Sequence, residues 1–317
     1  MAKYREVDQI IMKGTVLITG ASGFIGRRLV STLHSEGYSL RRMVRSVRPA
    51  VPDGIETVVG DLLEPVTLDA AFTGIDTAYY LVHSMAEGRA GFETRDRDAA
   101  RNFVTAASRA GVRRVIYLGG LGETGDNLSH HLASRIEVAR ILQEGPFLTT
   151  ILRAAVIIGA DGASFEMIRF LVHRLPLMIT PRWVATRCQP IAVEDVIRYL
   201  AGCLKEERTA GKTFDIGGPE ILTYREMMER VARVMGRRCA ILPVPVLTPK
   251  LSSYWVGLMT PVKPSISMPL IEGLKNEVIC RDQLIKELLP FPLVPFNEAV
   301  RMALAEVKDR DSRENNK

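Results

Sequence analysis

The chain lacks most of the features that mark the simpler function classes. Its four cysteines, Cys188, Cys203, Cys239 and Cys280, stand far apart and form no CxxC pair. That excludes the common zinc and thiol-redox motifs and fits reduced thiols in a cytoplasm. Aromatic residues make up only 6% of the chain and do not alternate with basic ones, which argues against nucleic acid as a partner. No apolar run approaches the roughly 18–20 residues that a bilayer span needs, so no integral membrane segment is expected. WVGLM, at Trp255, is far too short. The opening MAKYREVDQI is charged and has no apolar core of a signal peptide. Charge of one sign is not concentrated either: 42 Lys and Arg stand against 36 Asp and Glu, for a formal net charge of +6. RRMVRSVR, Arg41 to Arg48, is the densest basic patch. A solvated surface or small anionic ligands account for such a mild excess.

What is present is apolar material in a strict order. Hydrophobic residues are 47% of the 317, enough for a large core. In the first half, short apolar runs alternate with amphipathic helical segments. TVLITG is followed by FIGRRLVSTLHSEG, then by strand candidates in SLRRMVR, ETVVGD (Glu56–Asp61), DTAYYLVHS (Asp76–Ser84), RVIYLGG (Arg114–Gly120) and FLTTILRAAVIIG (Phe147–Gly159). Strands apolar on both faces, separated by helices, imply an α/β fold with a doubly wound parallel Rossmann sheet. The second half is richer in proline, and its periodicity is weaker. The expected organisation is a dinucleotide-binding domain over 1–160 and a smaller mixed C-terminal substrate lobe over 161–306, interleaved with returning Rossmann elements. The charge-dominated tail 307–317 is expected to be disordered. TYREMMERVARVMG carries the capping box Thr223 with Glu226, which predicts a helix start there.

GASGFIG, Gly20 to Gly26, lies between the first strand and the first helix. Gly20 permits a tight turn, Gly23 lets backbone approach a phosphate, and Gly26 lets the helix pack close. Ser22, Phe24 and Ile25 complete the turn. N–H groups at a helix start, with the helix dipole, favour a pyrophosphate. An NAD site usually has an acid after the second strand. Here the position reads Arg45-Ser46, with Arg48 nearby and Arg27 and Arg28 after the last glycine. A guanidinium binds a 2′-phosphate where a carboxylate repels it. The reading is therefore NADP, with Arg45 as its anchor and NAD as the alternative. Asp61 and Leu62, in GDL, are placed at the adenine. A plain turn is the alternative for Asp61.

GASGFIG, GDL, YYLVHS, VIYLGGLG, the helix that carries Glu137, and ILRAAVIIG together resemble atypical extended short-chain dehydrogenase/reductases. The NmrA-like and complex-I-accessory-subunit-like NAD(P)-binding proteins are the nearest in pattern, with epimerase/dehydratase-type enzymes beside them. The match covers about the first 160 residues. PIAVEDV and FDIGGPEILTYREM extend it to about residue 236. The resemblance implies a Rossmann fold, a bound dinucleotide and a substrate cleft between two lobes. It also implies a Tyr-x-x-x-Lys pair on the helix after the fifth strand, with a serine at that strand's end. This chain reads His131-Leu-Ala-Ser-Arg135 and Gly119-Gly120 at those places.

His131 and Arg135 fall on one helix face. Arg135 can anchor ribose and phosphate but cannot release its proton, whereas His131 can act as acid or base. Both are catalytic candidates, and Arg135 is also a cofactor candidate. Tyr117, inside a strand, is a poor substitute for the missing tyrosine. His130 and His131 diverge by about 100° on a helix, so no metal site is expected. Leu81, Val82 and His83, at the end of the fourth strand, are placed at the nicotinamide. Ser84, Gly120, Arg182 and Trp183 are placed at the substrate. The sequence supports an oxidoreductase acting on a small organic molecule such as a ketone, quinone or enone. A non-catalytic dinucleotide sensor with a protein partner, and an isomerase or epimerase that retains its cofactor, are the alternatives.

Overall fold

TVLI is apolar throughout and forms strand β1 (Thr15–Ile18), with Val16, Leu17 and Ile18 all buried. Helix α1 (Phe24–Ser35) turns Gly26, Leu29, Val30 and Leu33 inward and closes at Gly37, whose φ of +79° suits a residue without Cβ. There follow β2 (Leu40–Val44), β3 (Glu56–Val59), α2 (Leu68–Phe72), β4 (Ile75–Tyr80), α3 (Phe92–Arg109), β5 (Arg114–Gly120), α4 (His130–Gln143) and β6 (Leu148–Ala154). The computed structural model describes residues 14–46, 54–83, 91–122, 130–244, 273 and 276–315.

After β6 the chain leaves the main sheet. The run Phe147–Gly159, expected as one strand, breaks beyond Ala154. Ile157–Ile158 form β7, which pairs with β10 (Ile191–Ala192) because Ile191 N donates to the Val156 carbonyl. Between them lie α5 (Ala163–Arg174), β8 (Leu177–Pro181) and β9 (Arg187–Cys188). The chain then returns through α6 (Val193–Lys205) and β11 (Thr213–Ile216), and continues with β12 (Leu222–Thr223), α7 (Tyr224–Val234), β13 (Ala240–Val244), α8 (Leu284–Leu288) and α9 (Phe296–Asn315). The Thr223–Glu226 capping box at the start of α7 is formed, each partner bonding to the other's backbone.

The main sheet has seven parallel strands in the order β11-β6-β5-β4-β1-β2-β3. One face is covered by α1 and α6, through Leu29, Leu33, Val196 and Leu200. The other is covered by α3 and α4, through Phe103, Ala107, Val138 and Leu142. This is the Rossmann arrangement that the alternation of apolar runs implies. A third core belongs to the smaller lobe, where Phe165, Met227, Val231 and Val300 meet. Among the described residues, no helix is long and apolar enough to cross a membrane.

The tail corrects one expectation. Residues 307–315 are not disordered but extend α9. Val307 is buried, Glu306 accepts two hydrogen bonds from Arg28 at 2.5 and 2.6 Å, and Arg310 pairs with Asp161. Composition alone predicts a solvated tail because it cannot register these partners, which come from α1 and from the turn before α5. Truncation after Ala305 removes all three contacts. It is expected to lower the unfolding free energy by about 2–3 kcal/mol, chiefly through Val307. Urea unfolding checks this, and an unchanged midpoint would show that the tail contributes nothing.

Candidate functional site

The strand order reverses between β1 and β4, and in such sheets the crevice for a ligand lies beyond the carboxyl ends of those two strands. The glycine turn occupies that edge. Gly20 has φ +68°, and a Cβ there would lie 2.6 Å from the Leu81 carbonyl oxygen at the end of β4. Gly26 lies against the backbone of Gly20 and Ala21, so a Cβ there would collide with it. These two glycines are demanded by the protein's own packing. Gly23 differs: it is exposed, its backbone is extended, and a Cβ would meet only the Gly20 oxygen, at 3.2 Å. Gly23 is also the N-cap of α1, which has no side-chain cap and no acid in its first turn. The space before Gly23 and the uncapped helix start fit a pyrophosphate.

Around this turn the other expected cofactor residues take different roles. Ser22 is exposed. Phe24 and Ile25 are half-buried and pack on the α1–α6 side of the core. The Phe24 ring also lies against Gly159 and Gly162, where a Cβ would come within 3.0 and 3.1 Å of it. Arg45 is exposed just past β2. Asp61 makes a turn, its Oδ1 accepting from Leu63 N at 2.9 Å, and Leu62 is a core residue packed with Leu68 and Phe72. Arg27 and Arg28 are committed elsewhere, to Asp161 and Glu306. Asp161 is held at φ +68° between Arg27 and Arg310, and these pairs keep its carboxyl below its usual range against the effect of burial.

The other end of the crevice is built from β4, β5, α3 and α4. Gly120 ends β5, and a Cβ there would lie 3.3 Å from Leu132 and 3.7 Å from Arg135 Cγ, so glycine lets α4 approach. Arg135 is 7% exposed. Its Nη2 donates to the Val82 carbonyl at 3.4 Å, and its guanidinium lies 5.8 Å from the Tyr117 ring centroid. Its Nε has no hydrogen-bond partner and its guanidinium no carboxylate among the described residues. A buried cation with spare donors is costly unless something accepts from it. Tyr117 is fully enclosed, its hydroxyl donates to the Arg135 carbonyl at 3.2 Å, and burial raises its pKa. It cannot replace a catalytic tyrosine.

His83 stands beside Arg135. Its Nδ1 lies 3.4 Å from Oδ2 of Asp96 on α3, a carboxylate only 2% exposed that also accepts from Ser134 Oγ at 3.2 Å. Burial, then the Arg135 charge, push the His83 pKa down to about 4, with Asp96 opposing both. The imidazole is therefore neutral at physiological pH. His83 and Arg135, both singled out in the sequence, come together here, with Asp96 and Ser134, which were not, packed beside them. His131 lies on the first turn of α4, and Arg182 and Trp183 on a short 3-10 turn after β8; their side chains, and Ser84 entirely, lie outside the described part of the structure.

Beyond β5 and β6 a cavity of about 350 Å³ opens toward the smaller lobe, with Leu121, Ile221 and Val278 as apolar lining. Its polar wall is ordered: Arg153 on β6 pairs with the buried Asp215 directly opposite on β11, at 2.6 Å, and Arg187 pairs with Glu277 at 2.7 Å.

The NAD(P)H-binding family matches residues 20–169. That match, nearly half of the chain, covers the glycine turn and the strands and helices around the crevice. The chain is 29% identical over 238 residues to a ceramide reductase of Caulobacter vibrioides, covering 74% of each chain. It is 25% identical over 252 residues to the maize chloroplastic divinyl chlorophyllide a 8-vinyl-reductase, covering 73% of this chain and 62% of that protein. The fold matches triphenylmethane reductase of Citrobacter sp. complexed with NADP(H), with TM-score 0.74, 20% identity, and coverage of 91% of this chain and 99% of that one.

Two predictions follow from this geometry. Gly23→Ala is expected to leave stability close to that of the parent while weakening NADPH binding at least about tenfold. Gly20→Ala adds roughly 1–2 kcal/mol of left-handed strain to its clash with Leu81 and should unfold at lower denaturant. Equal stability losses in both would contradict the distinction. The depressed His83 pKa stabilises the fold fully above about pH 6.5, the unfolded value. That contribution, up to about 3 kcal/mol, declines as pH falls from 6.5 toward 4. His83→Gln should lack this decline in pH-dependent unfolding. An identical pH profile in both proteins would remove the argument.

Proposed function

We propose that the protein is an NADP-preferring oxidoreductase that reduces a small organic substrate with an apolar body, a ketone, quinone or enone. The observation that carries the reading is Arg135, a buried guanidinium with spare donors at the reacting end of the dinucleotide crevice. The apolar-lined cavity beyond β5 supports a substrate subsite there. The reductase relatives support the same reaction class.

When bound, the dinucleotide supplies the hydride. The chain supplies the rest. The α1 start and Gly23 receive the pyrophosphate. Arg45, in the position where NAD sites carry an acid, pairs with the 2′-phosphate. Arg135 holds the nicotinamide ribose in place of the lysine of the resemblance, and its fixed charge stabilises oxyanion character without giving up a proton. The proton comes from His131, four residues earlier on the same helix, or from solvent. Gly120, Arg182, Trp183 and Ser84 border the substrate. The rival reading, a non-catalytic dinucleotide sensor with a protein partner, draws on the same departures from Tyr, Lys and Ser.

Titration with NADPH and NADH, followed by nicotinamide fluorescence, separates these points. NADPH is expected to bind at least about tenfold more tightly, and Arg45→Asp to reverse that preference. Unchanged selectivity removes Arg45 from the site. His131→Ala is expected to keep NADPH affinity and lose turnover in a screen of apolar ketones, quinones and enones. Binding without turnover of any of them would favour the sensor.

A further inference from the structure

Arg153 stands at the carboxyl edge of the sheet, where the cavity opens. The parallel register sets it beside Gly119 on β5 and Asp215 on β11, each one residue short of its strand's end. Its side chain is a third exposed, whereas that of Asp215 is 1% exposed. Nε and Nη2 of Arg153 both reach Oδ1 of Asp215, at 2.8 and 2.6 Å, and Oδ2 accepts from Arg281 N at 3.1 Å. The carboxylate is thereby engaged on both oxygens, but the guanidinium on one edge only. A planar guanidinium has a second edge, formed by Nη1 and the outer proton of Nη2, which faces away from the first. Nη1 has no hydrogen-bond partner among the described residues and is not enclosed, unlike Nε of Arg114 and Arg135.

The cavity beside this edge, of about 350 Å³, falls in the range of small-molecule sites. Its lining holds three arginines, Arg153, Arg187 and Arg281, against two carboxylates, Asp215 and Glu277. Both carboxylates are already paired, with Arg153 and with Arg187. The lining thus carries an excess of one positive charge beside the apolar surface of Leu121, Ile221 and Val278.

We propose that the outer edge of Arg153 receives a carboxylate at the far end of the substrate, so that the substrate is an apolar carbonyl compound carrying a single acid group. The inference rests on the reductase reading of the crevice and deepens it. Asp215 is the positioning residue: it clamps one edge of the guanidinium and so fixes the plane of the other. A carboxylate matches that edge with two parallel hydrogen bonds. One net positive charge suits a monoanion, and the two lining carboxylates oppose a dianion. Leu121 and Gly122 directly follow Gly120, so a ligand anchored on Arg153 runs along the strand ends toward the glycine against which Arg135 packs.

The test is isothermal titration calorimetry of the full chain, with and without NADPH, against octanoate, octanol, octylamine and octyl phosphate. Octanoate is expected to bind at least about tenfold more tightly than octanol, with octylamine weaker than either. Arg153→Lys keeps a cation for Asp215 but has no second edge. It is expected to cost octanoate about tenfold while octanol and NADPH affinities stay as in the wild type. Octanoate bound no more tightly than octanol by the wild type overturns the proposal, whether or not Arg153→Lys folds. So does an undiminished acid preference in a folded Arg153→Lys, or an equal loss in Arg225→Gln on the exposed side of α7, which would trace the preference to general surface charge. Octyl phosphate bound more tightly than octanoate overturns the choice of a monoanion. Failure of the wild type to bind NADPH, with the octanoate preference intact, overturns the dinucleotide reading instead and leaves the acid site standing.

Discussion

The contact between Gly20 and the Leu81 carbonyl is the constraint on which the rest of the site depends. Parallel neighbours β1 and β4 end side by side, and the chain must turn sharply out of β1 without displacing the residues that leave β4. Only a residue without Cβ, in a left-handed conformation, meets both conditions. That approach fixes where α1 starts. It also fixes where Leu81, Val82 and His83 run, and so where Arg135 finds the Val82 carbonyl. The crevice follows from one backbone contact, because the start of α1 and the polar groups beyond β4 are both placed by it.

Charge is divided with equal economy. Arg27, Arg28 and Arg310 lie close to the glycine turn but serve the fold, joining α1 to the turn before α5 and to α9. Arg153 is likewise matched by a buried aspartate. Arg135 has no carboxylate partner among the described residues, and its buried Nε, like that of Arg114, has no hydrogen-bond partner there. What sets Arg135 apart from Arg114 is its place: Arg114 donates to Thr209 Oγ1 at 2.6 Å at the start of β5, whereas Arg135 lies against Gly120 and the Val82 carbonyl at the carboxyl edge of the sheet. The neutral His83 at its side follows first from burial and then from the same charge.

Much of this was legible from the sequence. Runs apolar on both faces gave parallel strands, GASGFIG gave the turn, and the Thr223–Glu226 spacing gave a helix start that the structure reproduces to the residue. Arg135 and His83 were visible because a family pattern and strand-end position pointed at them. Asp96 was not. It sits in RDRDAARNF, where a charge run on a helix reads as a solvated face, and only the packing of α4 over α3 buries it. The Arg153–Asp215 pair was hidden for a related reason: the two residues are 62 positions apart and meet only because β11 returns to the edge of the sheet. The tail failed in the opposite direction, since its partners on α1 and before α5 lie far back in the chain. Local pattern reports periodicity, and burial of charge is decided by whichever element arrives later.

The central claim is that one crevice holds a dinucleotide with its pyrophosphate at the start of α1 and its nicotinamide end against Arg135 and His83. A crystal structure of the protein soaked with NADPH tests it most directly. The account predicts pyrophosphate oxygens within hydrogen-bond distance of the backbone at Gly23, and nicotinamide ribose or carboxamide atoms on Arg135 and His83. A nucleotide bound with its phosphates away from α1, or with its nicotinamide away from Arg135, would contradict it.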